Sequence, residues 1–259
     1  MAGLFALVSP GGSPGVTTAA VALALTWPAP VVVAECDPSG GDVLAGALAG
    51  HVPARQGLME LAIEAGRTPV PGAASLDAQL VPLVVSRTRM VLPGLTAPRQ
   101  AAGLTSAWPA LAATLAAHPA DVIADCGRLD ASEGQPLAVL AAARTLAVVL
   151  RPTLRQAWAA RSRIEMLARL LGGTAKIVLL VTGPGQHSPR EMAGTLGIPV
   201  AATLADDART AAVLSDGLGR HKHTTSAPLL NSAKVAGHAL RRHSPALATA
   251  HTVEGGARN

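Results

Sequence analysis

A glycine-rich turn near the start of the chain has the residue types that a phosphate-binding loop requires. It lies between an apolar run at residues 4–8 and an alanine-rich segment that ends near Trp27. Small residues let consecutive main-chain N–H groups approach an anion, and the N-terminus of a following helix adds partial positive charge. We therefore expect the turn to bind phosphate through Gly11, Gly12, Ser13, Gly15 and Val16. A tight turn without a ligand is the alternative.

Two threonines follow the turn, and no lysine accompanies them. In the pattern G-x-x-x-x-G-K-[ST], Thr17 takes the place of the hydroxyl that binds magnesium, and Thr18 comes directly after it. Pro10 stands at the first glycine of that pattern and Val16 at the lysine. The scaffold for a nucleotide is present, whereas the usual positive charge on its phosphates is missing. As an alternative, Thr17 could simply cap the helix.

Acidic side chains follow two later apolar runs. Glu35 and Asp37 come directly after the run at residues 31–34, and Asp125 follows the run at residues 121–124. Short, continuously apolar runs are typical of strands buried on both faces of a parallel sheet. In such sheets, ligands bind outside the carboxyl ends of the strands. We therefore expect these carboxylates to lie near the glycine-rich turn.

Strands alternate with helices along most of the chain. This alternation predicts an α/β fold, with a mainly parallel sheet covered by helices on both faces. Beyond the first units, the predicted strands are residues 88–92, 145–150, 176–181 and 200–204. The predicted helices are residues 57–66, 99–117, 136–144, 154–171, 189–195, 207–215 and 227–242. We expect one domain at residues 1–243 and a disordered tail at residues 244–259, which lacks apolar periodicity.

Composition narrows the class of protein. The chain has 259 residues, 49% of them hydrophobic and 14% charged, which excludes a disordered protein. It has three Trp, one Phe and no Tyr, so stacking on aromatic residues is not expected to bind nucleic acid. Basic clusters at residues 220–223 and 241–243 leave a DNA or membrane surface open as a partner. No signal peptide is apparent, which predicts a cytoplasmic protein.

The ordered set of motifs resembles the MinD/ParA family of deviant P-loop ATPases. Against the family loop K-G-G-x-G-K-T-T, residues 11–18 keep the middle glycine, Gly15 and both threonines, and both lysines are replaced. The family segment D-x-D-P is matched by residues 35–38, and its magnesium-site aspartate by Asp125. Residues 197–207 are similar to the last-strand segment of the family, with Ala205 in place of a usual proline. The resemblance covers residues 3–242.

The resemblance implies ATP and magnesium as ligands. Thr17 and Asp125 would bind the metal, Asp37 would orient the attacking water, and Glu35 would be its companion in the cofactor site. Family members dimerise around ATP and recruit a partner. The resemblance therefore implies a homodimer or a protein partner, and a role in positioning, partitioning, or secretion or pilus assembly. Without lysine, hydrolysis is expected to be weak or absent. Arg128 and Arg151, just beyond strand ends, are the candidate substitutes for the missing charge.

Two other readings stay open. The first is an NAD(P)-type dinucleotide enzyme, because Glu35 stands where such folds hold a ribose hydroxyl. Against it, the turn lacks G-x-G-x-x-G. The second is a pseudoenzyme scaffold that binds no nucleotide and offers only a protein-binding surface. If the chain dimerises without nucleotide or is captured by a larger partner, the helix at residues 227–242 is the candidate surface. The cysteines Cys36 and Cys126 are interpreted as small buried residues.

Overall fold

The apolar runs of the sequence form the strands of one sheet. The computed structural model describes residues 2–11, 15–43, 46–48, 56–68, 70–130, 134–174, 176–217 and 227–243. The strands are β1 Leu4–Ser9, β2 Val31–Glu35, β3 Val81–Pro82, β4 Arg89–Leu92, β5 Asp121–Arg128, β6 Thr145–Leu150, β7 Ile177–Thr182 and β8 Val200–Leu204. Their order is β3-β4-β2-β5-β1-β6-β7-β8, and every neighbouring pair is parallel except β3 with β4. The predicted fold class is confirmed.

Helices connect these strands. The α-helices are α1 Val16–Thr26, α2 Leu58–Ala65, α3 Ala73–Ala78, α4 Trp108–Ala117, α5 Leu137–Ala142, α6 Leu154–Leu171, α7 Pro189–Leu196, α8 Ala208–Asp216 and α9 Pro228–Arg242. A 3₁₀ helix spans Pro98–Leu104. Successive residues of β1 alternate between two apolar cores. Helices α2 to α7 cover one face of the sheet, and α1, α8 and α9 cover the other.

Three elements differ from the prediction. Helix α3 and strand β3 were not predicted, because α3 is one and a half turns of mostly exposed residues and β3 has two residues, one of them proline. The predicted helix at residues 99–117 is wrong as a single element. It is divided by a turn at residues 105–107, after which α4 begins with Pro109 at its second position. Proline lacks the N–H that a continuous helix would need there, so it begins a new helix instead.

A buried carboxylate in β5 binds both the segment before β1 and the last helix. Asp121, at the start of β5, accepts a 2.8 Å hydrogen bond from Trp27 Nε1 and a 2.9 Å bond from the main-chain N–H of Gly3. Arg241, near the end of α9, forms an ion pair of 2.8 Å with the same carboxylate. Trp27 also packs edge-on against Phe5, with ring centroids 5.1 Å apart. These contacts hold α1, α9 and the first strand together.

Two sequence predictions concern segments whose structure is not described. The expected tail at residues 244–259 and the basic cluster at residues 220–223 lie outside the described residues. Within the described ranges, no helix combines the length and the apolarity needed to cross a bilayer.

Candidate functional site

The N-terminus of α1 faces a cleft with its main-chain amides uncapped. Strand β1 ends at Ser9, and α1 begins at Val16 after Gly15, whose φ of 82° is left-handed and favours glycine. No side chain among the described residues caps this helix, and its first turn holds no acid. The first N–H groups of a helix have no partner within the helix, so here they are available to an anion. The predicted residues Gly12 and Ser13 lie outside the described residues.

Val16 contributes no charge to this helix terminus. Its side chain is 5% exposed and belongs to the core between α1 and the sheet. A lysine at this position would direct its ammonium group at the phosphates. This chain instead has an apolar side chain that packs in the core. Gly11, at the position of the other lysine, has a positive φ of 154°, which favours glycine, and Gln156 donates a 2.7 Å hydrogen bond to its carbonyl oxygen.

Thr17 and Asp125 lie close together. The Thr17 hydroxyl favours the ionised form of the Asp125 carboxylate, which accepts a 3.0 Å hydrogen bond from the main-chain N–H of Gly127. Asp125 lies in β5, next to the strand that leads into the glycine-rich turn. Burial raises the pKa of Asp125 to about 7, against the lowering effect of the Thr17 hydroxyl and the Gly127 N–H. A hydroxyl beside a buried carboxylate is an oxygen donor set that suits Mg²⁺.

Asp37 lies beside Asp125, at the end of the neighbouring strand. Its Oδ1 accepts a 2.7 Å bond from the N–H of Ser39, and burial raises its pKa. Gly127 makes this closeness possible, since a Cβ at that position would overlap the Asp37 carboxylate. Gly127 also has a left-handed φ of 60°. The sequence interpretation passed over Gly127, although a glycine two residues after an acid near the end of a strand is a usable signal for close approach.

The carboxylate of Glu35 is directed away from the cleft. It is 1% exposed and accepts hydrogen bonds from the main-chain N–H groups of Val43, at 2.8 Å, and Gly94, at 3.1 Å. Gly41 is needed here, because a Cβ on it would lie 2.8 Å from Glu35 Oε2. Burial raises the pKa of Glu35. Glu35 therefore holds together two loops beside the site, and the structure does not bring it to the cleft that Thr17 and Asp37 line.

The cleft over the helix terminus has a volume of about 790 Å³. The C-terminal end of α8 forms part of its wall, where the hydroxyls of Thr18 and Ser215 are 3.2 Å apart. The described lining includes three carboxylates and one guanidinium, namely Asp37, Asp42, Asp216 and Arg128. Arg128 also forms a 3.1 Å ion pair with Asp130. The described side chains that line the cleft therefore carry an excess of negative charge.

A smaller cleft of about 120 Å³ continues on the other side of Gly15. It is lined at the carboxyl ends of β6, β7 and β8 by Arg151, Thr182 and Asp206. The two arginines nominated from the sequence are thus in different places, Arg128 in the larger cleft and Arg151 in the smaller. Ser215, Asp42 and Asp216 were not predicted, because their helix and loop carry no recognisable motif.

Solved structures share this fold, whereas no protein-family model and no curated protein matches the sequence. A ParA family ATPase from Chlorobium tepidum is similar at a TM-score of 0.68, with 16% identity, over 92% of this chain and 99% of its own. The septum site-determining protein MinD from Pyrococcus horikoshii, complexed with Mg-ADP, gives 0.68, with 13% identity and coverages of 93% and 97%. The MinC:MinD cell division protein complex of Aquifex aeolicus gives 0.65, with 14% identity and coverages of 93% and 96%.

The chain therefore has the fold of MinD/ParA P-loop ATPases, as the sequence predicted. At these identities the similarity concerns the fold. The roles of individual residues in this chain follow from its own geometry.

Proposed function

We propose that this protein binds a nucleoside triphosphate with magnesium and acts in the cytoplasm as a MinD/ParA-like positioning or partitioning factor with weak or no ATP hydrolysis. One observation carries the proposal: the hydroxyl of Thr17 lies near the buried carboxylate of Asp125, directly beside an uncapped helix N-terminus. Oxygen ligands for a divalent cation thus lie next to main-chain donors for phosphate.

Each residue of the site has a distinct role in this proposal. The N–H groups at the start of α1, with the left-handed Gly15, bind the phosphates, and Thr17 with Asp125 holds the magnesium, which would offset phosphate charge. A divalent cation also favours the ionised form of Asp125, whose pKa burial otherwise raises. Asp37, next to Asp125, orients the water that would attack the terminal phosphate.

Weak hydrolysis follows from the charges of the cleft. Phosphoryl transfer needs positive charge where negative charge develops, and lysine or arginine usually supplies it. Here Val16 is apolar, and Arg128 is already paired with Asp130. The carboxylates of Asp42 and Asp216 oppose any further negative charge. Binding can rely on magnesium and main-chain donors, whereas the transition state lacks its usual cation.

Thermal unfolding with different ligands tests the proposal. We expect Mg-ATP to raise the midpoint more than NAD does, since a ligand that binds only the folded state stabilises it. Thr17→Val should remove the magnesium-dependent part of the shift. Thr18→Val is the matched control. It makes the same substitution and keeps the main-chain N–H, but Thr18 is not the residue that faces Asp125. Stabilisation by NAD alone would support the dinucleotide alternative, and no shift with any nucleotide would support the scaffold.

Assembly is the second part of the proposed function. The similar fold in the MinC:MinD complex supports a protein partner, and a homodimer around nucleotide is the other form of assembly that the family resemblance implies. With no lysine at Gly11, an ATP-dependent dimer of this chain should be weak. Light scattering with and without Mg-ATP measures it, and a tight dimer seen only with ATP would contradict the view that the site is degenerate.

A further inference from the structure

Helix α6 exposes large apolar side chains on the side opposite its core contacts. Its buried side holds residues such as Ala160, Ile164 and Leu167. On the other side, Trp158 is 78% exposed and Leu154 is 67% exposed. The two are four residues apart, so they are neighbours on the helix surface.

Positive charge surrounds Trp158. Arg155 and Arg161 lie three residues on either side of it, and both are exposed. Neither forms an ion pair within the described parts of the chain. Glu165 is the one acidic residue of α6. The surface that comprises Leu154, Arg155, Trp158 and Arg161, here termed the α6 surface, therefore joins an apolar centre to unpaired guanidinium groups.

We propose that the α6 surface binds an acidic segment of a protein partner, with an apolar side chain of that segment packed against Trp158. Tryptophan and arginine are the residues that most often dominate the energy of protein interfaces. Unpaired arginines at the edge of an apolar centre favour a partner of opposite charge, which they also attract over distance. The proposal does not depend on nucleotide binding.

Other occupants fit the α6 surface less well. A bilayer needs a broad apolar face, whereas this surface offers two large apolar side chains between charged ones. Duplex DNA would satisfy the arginines but would leave Trp158 and Leu154 against a polar backbone. Helix α9, the surface considered from the sequence, exposes one large apolar side chain, Val235, among Asn231, Lys234 and His238, so it lacks the pair of large apolar side chains found on the α6 surface.

Tryptophan fluorescence can report on this surface without a label. Trp27 and Trp108 are 1% and 3% exposed, so iodide should quench mainly Trp158. The probe is a synthetic amphipathic helical peptide with glutamates around a leucine and a phenylalanine. We expect it to shift the emission to the blue and to protect Trp158 from iodide, in a salt-dependent manner. Trp158→Phe should remove the signal.

Charge reversal provides the decisive variant. Arg155→Glu with Arg161→Glu should weaken peptide binding roughly tenfold or more, whereas Lys234→Glu on α9 should leave it unchanged. The circular dichroism spectrum and unfolding midpoint show that the variants fold, as expected for exposed sites. No response to the acidic peptide, an equal response to a lysine-substituted peptide, or binding that survives charge reversal would overturn the proposal. A response only to anionic vesicles or to duplex DNA would also overturn it. Protection of Trp158 that rises with protein concentration alone would overturn it too, because it would indicate that a second copy of the chain covers this surface.

Discussion

Gln156 and Gly11 join helix α6 directly to the glycine-rich turn. The Gln156 Nε2 donates a 2.7 Å hydrogen bond to the carbonyl oxygen of Gly11, and the side chain is 5% exposed. Its Oε1 has no hydrogen-bond partner among the residues that the structure describes. The position of the turn therefore depends on α6, the helix that also carries the exposed Trp158.

Gln156→Leu should disturb the turn while preserving the size of the side chain. The carbonyl of Gly11 would lose its donor, which costs about 1–3 kcal/mol when such a group is buried, and we expect Mg-ATP to bind more weakly. Isothermal titration measures the binding of Mg-ATP, and urea unfolding measures the free energy of unfolding. Gln56→Leu is the control, because Gln56 donates to Ala78 away from the turn. Equal effects of the two substitutions would show that the bond to Gly11 has no special role.

Val16→Lys should restore catalytic power at the expense of stability. A lysine there would add positive charge at the phosphates, and hydrolysis should rise on the order of a hundredfold, the usual effect of one transition-state donor. The nucleotide-free protein should lose about 1–3 kcal/mol, because Val16 is buried. Steady-state phosphate release checks the rate, with Val16→Met as the uncharged control. A variant that binds Mg-ATP without faster hydrolysis would show that a missing cation is not what limits this site.

Asp121→Ala should be among the most destabilising substitutions. It would leave Trp27 Nε1, Arg241 and the N–H of Gly3 without their common acceptor. A buried donor such as Trp27 Nε1 that loses its acceptor costs about 1–3 kcal/mol, whereas the Arg241 side chain, 35% exposed, can reach water. The matched control is Asp77→Ala, whose carboxylate is 59% exposed and contacts His118, and which should cost about 1 kcal/mol or less. Urea unfolding compares the two, and similar losses would contradict the buried network.

Stability without metal should fall as the pH rises. Burial raises the pKa of Asp125 from 3.8 to about 7, so between these values the folded protein keeps a proton that the unfolded chain has released. The free energy of unfolding therefore decreases through this window. In a chelator, we expect a lower unfolding midpoint at about pH 8 than at about pH 5, and Mg²⁺ should recover part of it at the higher pH. Asp125→Asn should flatten the dependence in part, since the pKa values of Glu35 and Asp37 are also raised. An unchanged slope in Asp125→Asn would refute this assignment.

Sequence patterns predicted the parts of the molecule that burial determines. Strands β6 and β8 and helix α6 have their predicted bounds, because long apolar runs and clear helical spacing leave few alternatives. The closeness of the glycine-rich turn to the strand ends of Asp37 and Asp125 was likewise expected, because the carboxyl ends of parallel strands meet at one edge of the sheet. The orientation of Glu35 was not, because it depends on loop amides at Val43 and Gly94, whose positions no local pattern encodes. The wall formed by Ser215 was missed for the same reason.

The sheet order also has a consequence for how the protein is made. Strand β1 and its glycine-rich turn leave the ribosome before the other strands, yet among the described strands β1 pairs with β5 and β6, from the middle of the chain. Asp125 therefore reaches Thr17 late in translation, and Ser215 reaches Thr18 later still. Until then, the nascent chain carries an unpaired apolar strand, a state that favours chaperone binding and aggregation. A chain released before α8 would expose the turn without the wall that Ser215 provides.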